Sequence, residues 1–252
     1  MKRSAAGWDE VAPGFYRVHV ADTNCYLVVS ADGMTLIDAG LPASWKPLTA
    51  LLEHLAATPA DIDRLILTHG HFDHVGMAAR LHGENAIRTL VHPGDRYLAR
   101  HPYRYRHERA RVPYLWRHPA ALPVLAGMTL AGALQVRGVD AEPQLANGET
   151  VDAPGRPVAI WTPGHTDGHC GFLFEEVGVL LTGDAFVTLD PYTGASGPRV
   201  VARAATADSA AAVAALDAFS GLSARVLLPG HGEPWTGDLE TGLDLARRAP
   251  IG

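Results

Sequence analysis

At 252 residues, with 47% hydrophobic and 19% charged side chains, the chain has a globular composition that excludes disorder, collagen and coiled coil. Its 21 basic and 27 acidic residues leave a formal net charge of −6, so the chain as a whole does not attract nucleic acid or an anionic membrane, although a local patch could. Cys25 and Cys170 are too few for a disulfide framework, Met1 to Glu10 lacks the apolar core of a signal peptide, and no run approaches ~18 uninterrupted apolar residues. A cytoplasmic protein without a transmembrane span is expected, as one domain over 1–252, because this length suffices for one core.

In chain order, Phe15–Val20, Cys25–Val29 and Met34–Asp38 read as a strand meander with a turn at Ala31-Asp32-Gly33. Ser44 can cap a helix with Trp45, Leu48, Leu51, Leu52 and Leu55 on one face, ended by Thr58-Pro59. Arg64–Thr68 then reads as a strand running into His69-Gly70-His71-Phe72-Asp73-His74, and Asp73 to Leu81 as a helix closed by Gly83. The stretch Arg96–His118 differs in composition, holding seven of the 19 Arg, five Tyr and Trp residues, and a single acid, Glu108. It marks an inserted segment at about 95–135.

Three more apolar runs end on a polar group. Val158–Thr162 leads to Pro163-Gly164-His165, Val177–Thr182 to Gly183-Asp184, and Arg225–Leu228 to Pro229-Gly230-His231. Between them lie a turn-rich loop, Pro191–Pro198, and an Ala-rich helix from Asp208 to Phe219 closed by Gly221; a last helix spans Asp238 to Arg248. Runs without polar alternation suit strands buried on both faces. If they share sheets, the loops past their C-terminal ends converge on one edge, where open α/β folds place ligands.

Imidazoles and carboxylates at these loops are ligands for Zn²⁺ and related ions, and the lack of nearby Cys argues against a closed thiolate site. Five His and two Asp exceed one tetrahedral ion, so two ions sharing a carboxylate fit better.

The set His69-x-His71-x-Asp73-His74, Pro163-Gly164-His165, Gly183-Asp184 and Pro229-Gly230-His231 resembles the metallo-β-lactamase superfamily, from Gly14 to Trp235. The resemblance implies a four-layer αββα sandwich of the α/β class with metals at one edge. It implies two Zn²⁺ per chain, with Fe or Mn as alternatives. His69, His71 and His165 would hold the first, Asp73, His74 and His231 the second, with Asp184 bridging. A hydroxide between the metals would attack a polarised carbonyl, with Asp73 as the catalytic residue that orients it. Asp38 matches a supporting acidic position, and Asp167 and His169 are further candidates for fixing the imidazole tautomers, His169 being otherwise a packed loop histidine.

Asp184 resembles the bridging position of glyoxalase II and of lactonases more than that of zinc β-lactamases. Only 21 residues follow His231, too few for the glutathione-gripping extension of glyoxalase II. Val187 stands where related lactonases carry Tyr, with Tyr192 nearby. The expected function is hydrolysis of an ester, thioester or lactone-like acyl bond in a small molecule. The alternatives are a mononuclear Fe(II) persulfide dioxygenase-type oxidoreductase using His69, His165 and Asp184, and a phosphodiesterase or nuclease, against which length and charge argue. Arg96–His118 is either a lid whose Arg104, Arg106 and Arg109 select an anionic or aromatic acyl substrate, or a solvated hairpin or homodimer contact. Cys170 reads as a small buried apolar group.

Overall fold

Residues 6–252 are described by a computed structural model. The first four strands, β1 (Trp8–Ala12), β2 (Phe15–Val20), β3 (Thr23–Ser30) and β4 (Gly33–Ile37), form an antiparallel meander. Chain reversal through helix α1 (Trp45–His54) then adds β5 (Ile62–Ile66) parallel to β4. Helix α2 (Ala78–Asn85) leads to β6 (Arg88–Val91), and three helices, α3 (Arg96–Arg100), α4 (Val112–Arg117) and α5 (Leu122–Leu130), precede the short β7 (Glu142–Pro143). These seven strands lie in sequence order in one sheet.

The second sheet contains β8 (Val158–Trp161), β9 (Cys170–Phe174) and β10 (Val179–Gly183). A small ribbon of β11 (Val187–Leu189) and β12 (Ser196–Arg199) and helix α6 (Ser209–Ala215) follow; then β13 (Val226–Pro229) pairs parallel to β10, giving the order β13-β10-β9-β8, and helix α7 (Leu239–Arg248) ends the fold.

Side-chain alternation sorts the apolar residues into three interfaces between four layers. Leu27, Leu36 and Leu65 face α1 and α2, packing with Leu48, Leu52 and Leu81. Their neighbours Val28, Ile37 and Ile66 point the other way and meet Phe172, Phe174 and Leu181 between the sheets. Leu180 and Leu227 pack outward against Leu216, Phe219 and Leu243. Truncating one such leucine to Ala removes about 2–5 kcal/mol. The architecture is the αββα sandwich of the α/β class.

Several local expectations shift. Ser44 makes no side-chain cap of α1; its Oγ instead accepts from Leu41 N, because a 3-10 turn over Pro42–Ser44 precedes the helix. The helix expected from Asp73 starts only at Ala78 and passes through Gly83 to Asn85. After a local turn at His74 and Val75 the next two amides are committed elsewhere: Gly76 N donates to Gly40 O at 2.8 Å and Met77 N to Ala39 O at 3.0 Å. A Cβ at Gly76 would collide with Gly40 and Leu41, so glycine permits this close approach. Asp208 and Asp238 do cap α6 and α7, accepting from Ala211 N and Thr241 N, each at 2.9 Å.

The 95–135 segment lies between β6 and β7. Its α5 packs Met128, Val124 and Leu125 on Leu41 and Phe72. Glu108, its lone acid between 96 and 118, ties the segment to α6 by accepting from Ser209 N and Oγ. Among the described residues no helix is long and apolar enough to cross a membrane.

Candidate metal centre

The C-terminal ends of β5, β8, β10 and β13 meet at one edge and deliver His69 to His74, His165, Asp184 and His231 to one place. All seven side chains are buried, from 0% exposure at His69 to 6% at Asp73. Their nitrogen and oxygen atoms form three groups, each within 4.8 Å: His69, His71 and His165; His69, His74 and Asp184; Asp73, His74 and His231. The Asp184 carboxylate lies between them, 3.4 Å from His165 Nε2, 3.5 Å from His74 Nε2 and 3.3 Å from His231 Nε2.

The acceptors around the imidazoles fix their tautomers. Thr68 Oγ1 donates to Asp38, so at 3.0 Å it accepts from His69 Nδ1. His74 Nδ1 donates to Asp38 Oδ2 at 2.8 Å, and His231 Nδ1 to the Asp22 carbonyl at 2.9 Å. Thr206 Oγ1 donates to Val201 O and accepts from His165 Nδ1. With protons on Nδ1, the Nε2 lone pairs point inward. His69 Nε2, His74 Nε2 and Asp184 Oδ1 are buried there without a hydrogen-bond partner. Convergent buried ring nitrogens and a carboxylate oxygen without hydrogen-bond partners are what a bound cation satisfies, so the residues fit a metal.

The charges divide across the site. Burial opposes the Asp184 charge, yet His231 and His74 hold its carboxyl well below the usual range. Burial likewise opposes protonation of His74, but Asp184 and Asp38 raise it to about 9; His231 is raised well above normal by Asp184 and Asp73. His69 and His71 are driven down by desolvation and by neighbouring imidazoles, and His165 by desolvation to about 4.

Of the supporting residues, Asp38 is held at φ 61° and bridges Thr68 and His74. His169 accepts from Asp184 N at 2.9 Å through Nε2 while Nδ1 meets Thr162 Oγ1. Asp167 touches none of the seven: it turns to solvent and pairs with Arg106, because the loop beside it is anchored by a different carboxylate. That carboxylate is Asp95, overlooked in the sequence. It is 1% exposed and accepts from Gly70 N, Thr166 Oγ1 and Gly168 N, joining the His69–His74 loop to the His165 loop. Burial raises its pKa to about 6. Asp95 follows β6 and Pro93-Gly94, the same strand, Pro-Gly, polar-residue pattern that flags His165 and His231.

A second overlooked residue is Tyr105. Its ring lies 4.0 Å from that of His71, Arg111 stacks 4.2 Å above it, and its hydroxyl meets Tyr192 OH at 3.0 Å. Tyr105, Pro191 and Tyr192 therefore line a cavity of about 10 Å³ with His71, Asp73, Asp184 and His231, so the 191–198 loop reaches the site through its first two residues. Arg104 and Arg106 stand beside it, on a 210 Å³ pocket whose wall includes His165 and Tyr105. Arg104 donates to Tyr97 OH, whereas Arg109 is exposed and is not on that wall. Cys170 is buried with its thiol pushed up to about 12 by desolvation, which keeps it protonated.

A family model described as "Metallo-beta-lactamase superfamily" matches residues 20–231. The probable metallo-hydrolase YflN of Bacillus subtilis is 29% identical, over 93% of this chain and 89% of that one. The chain spans 61% and 89% of the first two curated relatives that it matches. The metallo-beta-lactamase family protein TTHA1429 of Thermus thermophilus superposes with a TM-score of 0.67 at 28% identity, covering 93% of this chain and 78% of that one. TTHA1623, solved in a di-iron-bound form, superposes with a TM-score of 0.61 at 27% identity, covering 87% and 92%. The convergent His and Asp loops, the sandwich and the matched span agree: this chain belongs to the metallo-beta-lactamase superfamily.

Proposed function

We propose that this protein is a dinuclear metallo-hydrolase, with zinc in both positions, that cleaves an ester, thioester or lactone-like acyl bond of a small molecule. The observation that carries the reading is the linkage of the three donor groups: His69 belongs to the first two and His74 to the last two, with Asp184 in the middle. One ion cannot use all seven donors, whereas His69, His71 and His165 suit one position, Asp73, His74 and His231 the other, with Asp184 between. Bound there, the two ions would supply Lewis acidity and a water acidic enough to act as nucleophile at neutral pH.

The chain's own groups do the rest. Asp73, beside His231 and facing the cavity, accepts a hydrogen bond from the attacking water and fixes its direction. Asp38 and His169 hold His74 and the Asp184 backbone so that neither reorients during turnover. The Tyr105 and Tyr192 hydroxyls are donors at the cavity wall, and Arg104 and Arg106 suit a substrate with an anionic group beyond the scissile bond. The free, buried cysteines suit a reducing compartment such as the cytoplasm.

A mononuclear Fe(II) persulfide dioxygenase-type oxidoreductase is the second reading, and the di-iron-bound form of TTHA1623 supports it only in that iron can occupy a relative of this fold. Metal content per chain after purification without added metal separates the two. About two zinc ions with acyl hydrolysis that is lost in Asp184→Ala is expected. Iron with substrate-dependent oxygen uptake and no hydrolysis would overturn the hydrolase.

A further inference from the structure

Charge is strongly segregated along this chain. Residues 96–137 hold eight Arg and one acid, a net +7, so the other 210 residues, with 13 basic and 26 acidic side chains, carry −13. Seven of those eight Arg are exposed. Arg96 and Arg106 pair with Asp140 and Asp167, but Arg100, Arg117 and Arg137 have no acidic partner among the described residues.

The same segment concentrates the exposed apolar surface. Seven of the ten exposed large apolar or aromatic side chains among the described residues lie in it. On α5 the inner face, with Met128, is packed, whereas Leu122 and Leu130, eight residues apart on the outer face, are 47% and 90% exposed. On α4 Tyr114 is buried, while Val112 and Trp116, one turn apart, are 67% and 84% exposed. Leu134, in the turn after α5, is 75% exposed. Val139 N donates to Ala99 O, and Tyr103 OH links Ala133 O and Val136 N, which sets Arg100 beside the Leu134–Arg137 stretch. Exposed leucine and tryptophan side chains thus share the 96–137 segment with three guanidinium groups that have no acidic partner among the described residues.

We infer that this α4–α5 face docks on an anionic phospholipid surface, with Trp116, Leu122, Leu130 and Leu134 entering the acyl boundary and Arg100, Arg117 and Arg137 meeting headgroup phosphates. Two features select this occupant. A symmetric dimer through the same face would press Arg100, Arg117 and Arg137 against their own copies. A nucleic acid would meet the guanidinium groups but offer the aliphatic leucines no apolar partner. A bilayer interface satisfies both chemistries, and the −13 remainder is repelled from it, so one orientation is selected. The inference stands independently of the hydrolase reading.

The experiment is sedimentation of the metal-loaded protein with phosphatidylcholine vesicles and with vesicles that also contain phosphatidylserine, at low and high salt. Binding only to the serine-containing vesicles, weakened by salt, is expected. Each of Arg100→Gln, Arg117→Gln and Arg137→Gln should lower partitioning about fivefold, and the triple variant about a hundredfold. Leu130→Ser with Leu134→Ser should lower it at least about tenfold at unchanged Tm, since both side chains are exposed. Any of four results would overturn the proposal: no sedimentation, equal binding to phosphatidylcholine alone, tighter retention by a single-stranded oligonucleotide, or a lipid-free dimer that the Leu variants dissociate.

Discussion

Asp95→Asn tests how the candidate metal loops are held. The carboxylate serves three donors, with Oδ2 taking Gly70 N at 2.9 Å and Thr166 Oγ1 at 2.8 Å, and Oδ1 taking Gly168 N at 2.8 Å. An amide has one acceptor oxygen, so either way it turns, its NH₂ faces a backbone N–H. One hydrogen bond to a charged acceptor is lost, worth about 1.5–3 kcal/mol. Relief of the desolvation that raises the Asp95 pKa to about 6 offsets part of that loss. A net loss of about 2 kcal/mol is expected, which lowers Tm by about 4–8 °C in a chain of this size. Because Gly70 sits between His69 and His71, zinc affinity should also fall about 10–100-fold. Calorimetry of the metal-free variant and competition with a chromophoric chelator measure the two effects, with Asp167→Asn as the control. Wild-type Tm and affinity in Asp95→Asn, or losses in Asp167→Asn instead, would refute the assignment.

The proton balance gives a second expectation. His74 and His231 carry protons at neutral pH in the metal-free protein, so loading zinc at pH 7 should release about two protons per chain, read by titration calorimetry in buffers of different ionisation enthalpy. In the metal-free protein the His74 contribution to stability is full below its ordinary value of 6.5 and is lost as pH rises through about 9; the Asp184 contribution is present above 3.8 and is lost on acidification. Urea unfolding across that range should therefore show stability falling on the alkaline side, and a flat profile up to pH 9 contradicts the charge assignment. Tyr105→Phe removes the hydroxyl pair with Tyr192 and should cost about 1 kcal/mol in urea unfolding, with no loss of bound metal. Arg104→Ala with Arg106→Ala should cut kcat/KM about tenfold or more for anionic acyl substrates and leave neutral ones unchanged; equal effects on both classes would remove these residues from substrate selection.

What was legible in the sequence followed from local signals. His69 to His74, His165, Asp184 and His231 each stand at the end of an apolar run punctuated by Gly or Pro, so strand-end convergence could be read before any coordinates. Asp38 was reachable for the same reason, closing Thr35-Leu36-Ile37. Asp95 stands after a strand and Pro93-Gly94 in the same way, but its role was not legible, because the Gly70 and Gly168 amides and the Thr166 hydroxyl that it joins lie in two loops brought together only by the fold. Asp167 drew attention by lying two residues from His165, yet adjacency in a loop does not set direction. The late start of α2 has a tertiary cause, since the amides that would begin the helix are taken by Ala39 and Gly40. Tyr105 reaches His71 through the path of a long insertion, which no periodicity specifies.

The candidate ligands come from both halves of the sandwich: His69 to His74 follow β5 of the larger sheet, whereas His165, Asp184 and His231 follow strands of the smaller one. Away from that edge the halves adhere through the apolar layer of Phe172, Phe174, Ile37 and Ile66; at the edge they meet through imidazoles and carboxylates. The ions would thus act as rivets across the seam. Stripping them should let the sandwich hinge open from the ligand end, with amide exchange rising first around Gly70, Thr166 and Gly230 while the inter-sheet apolar layer keeps its protection.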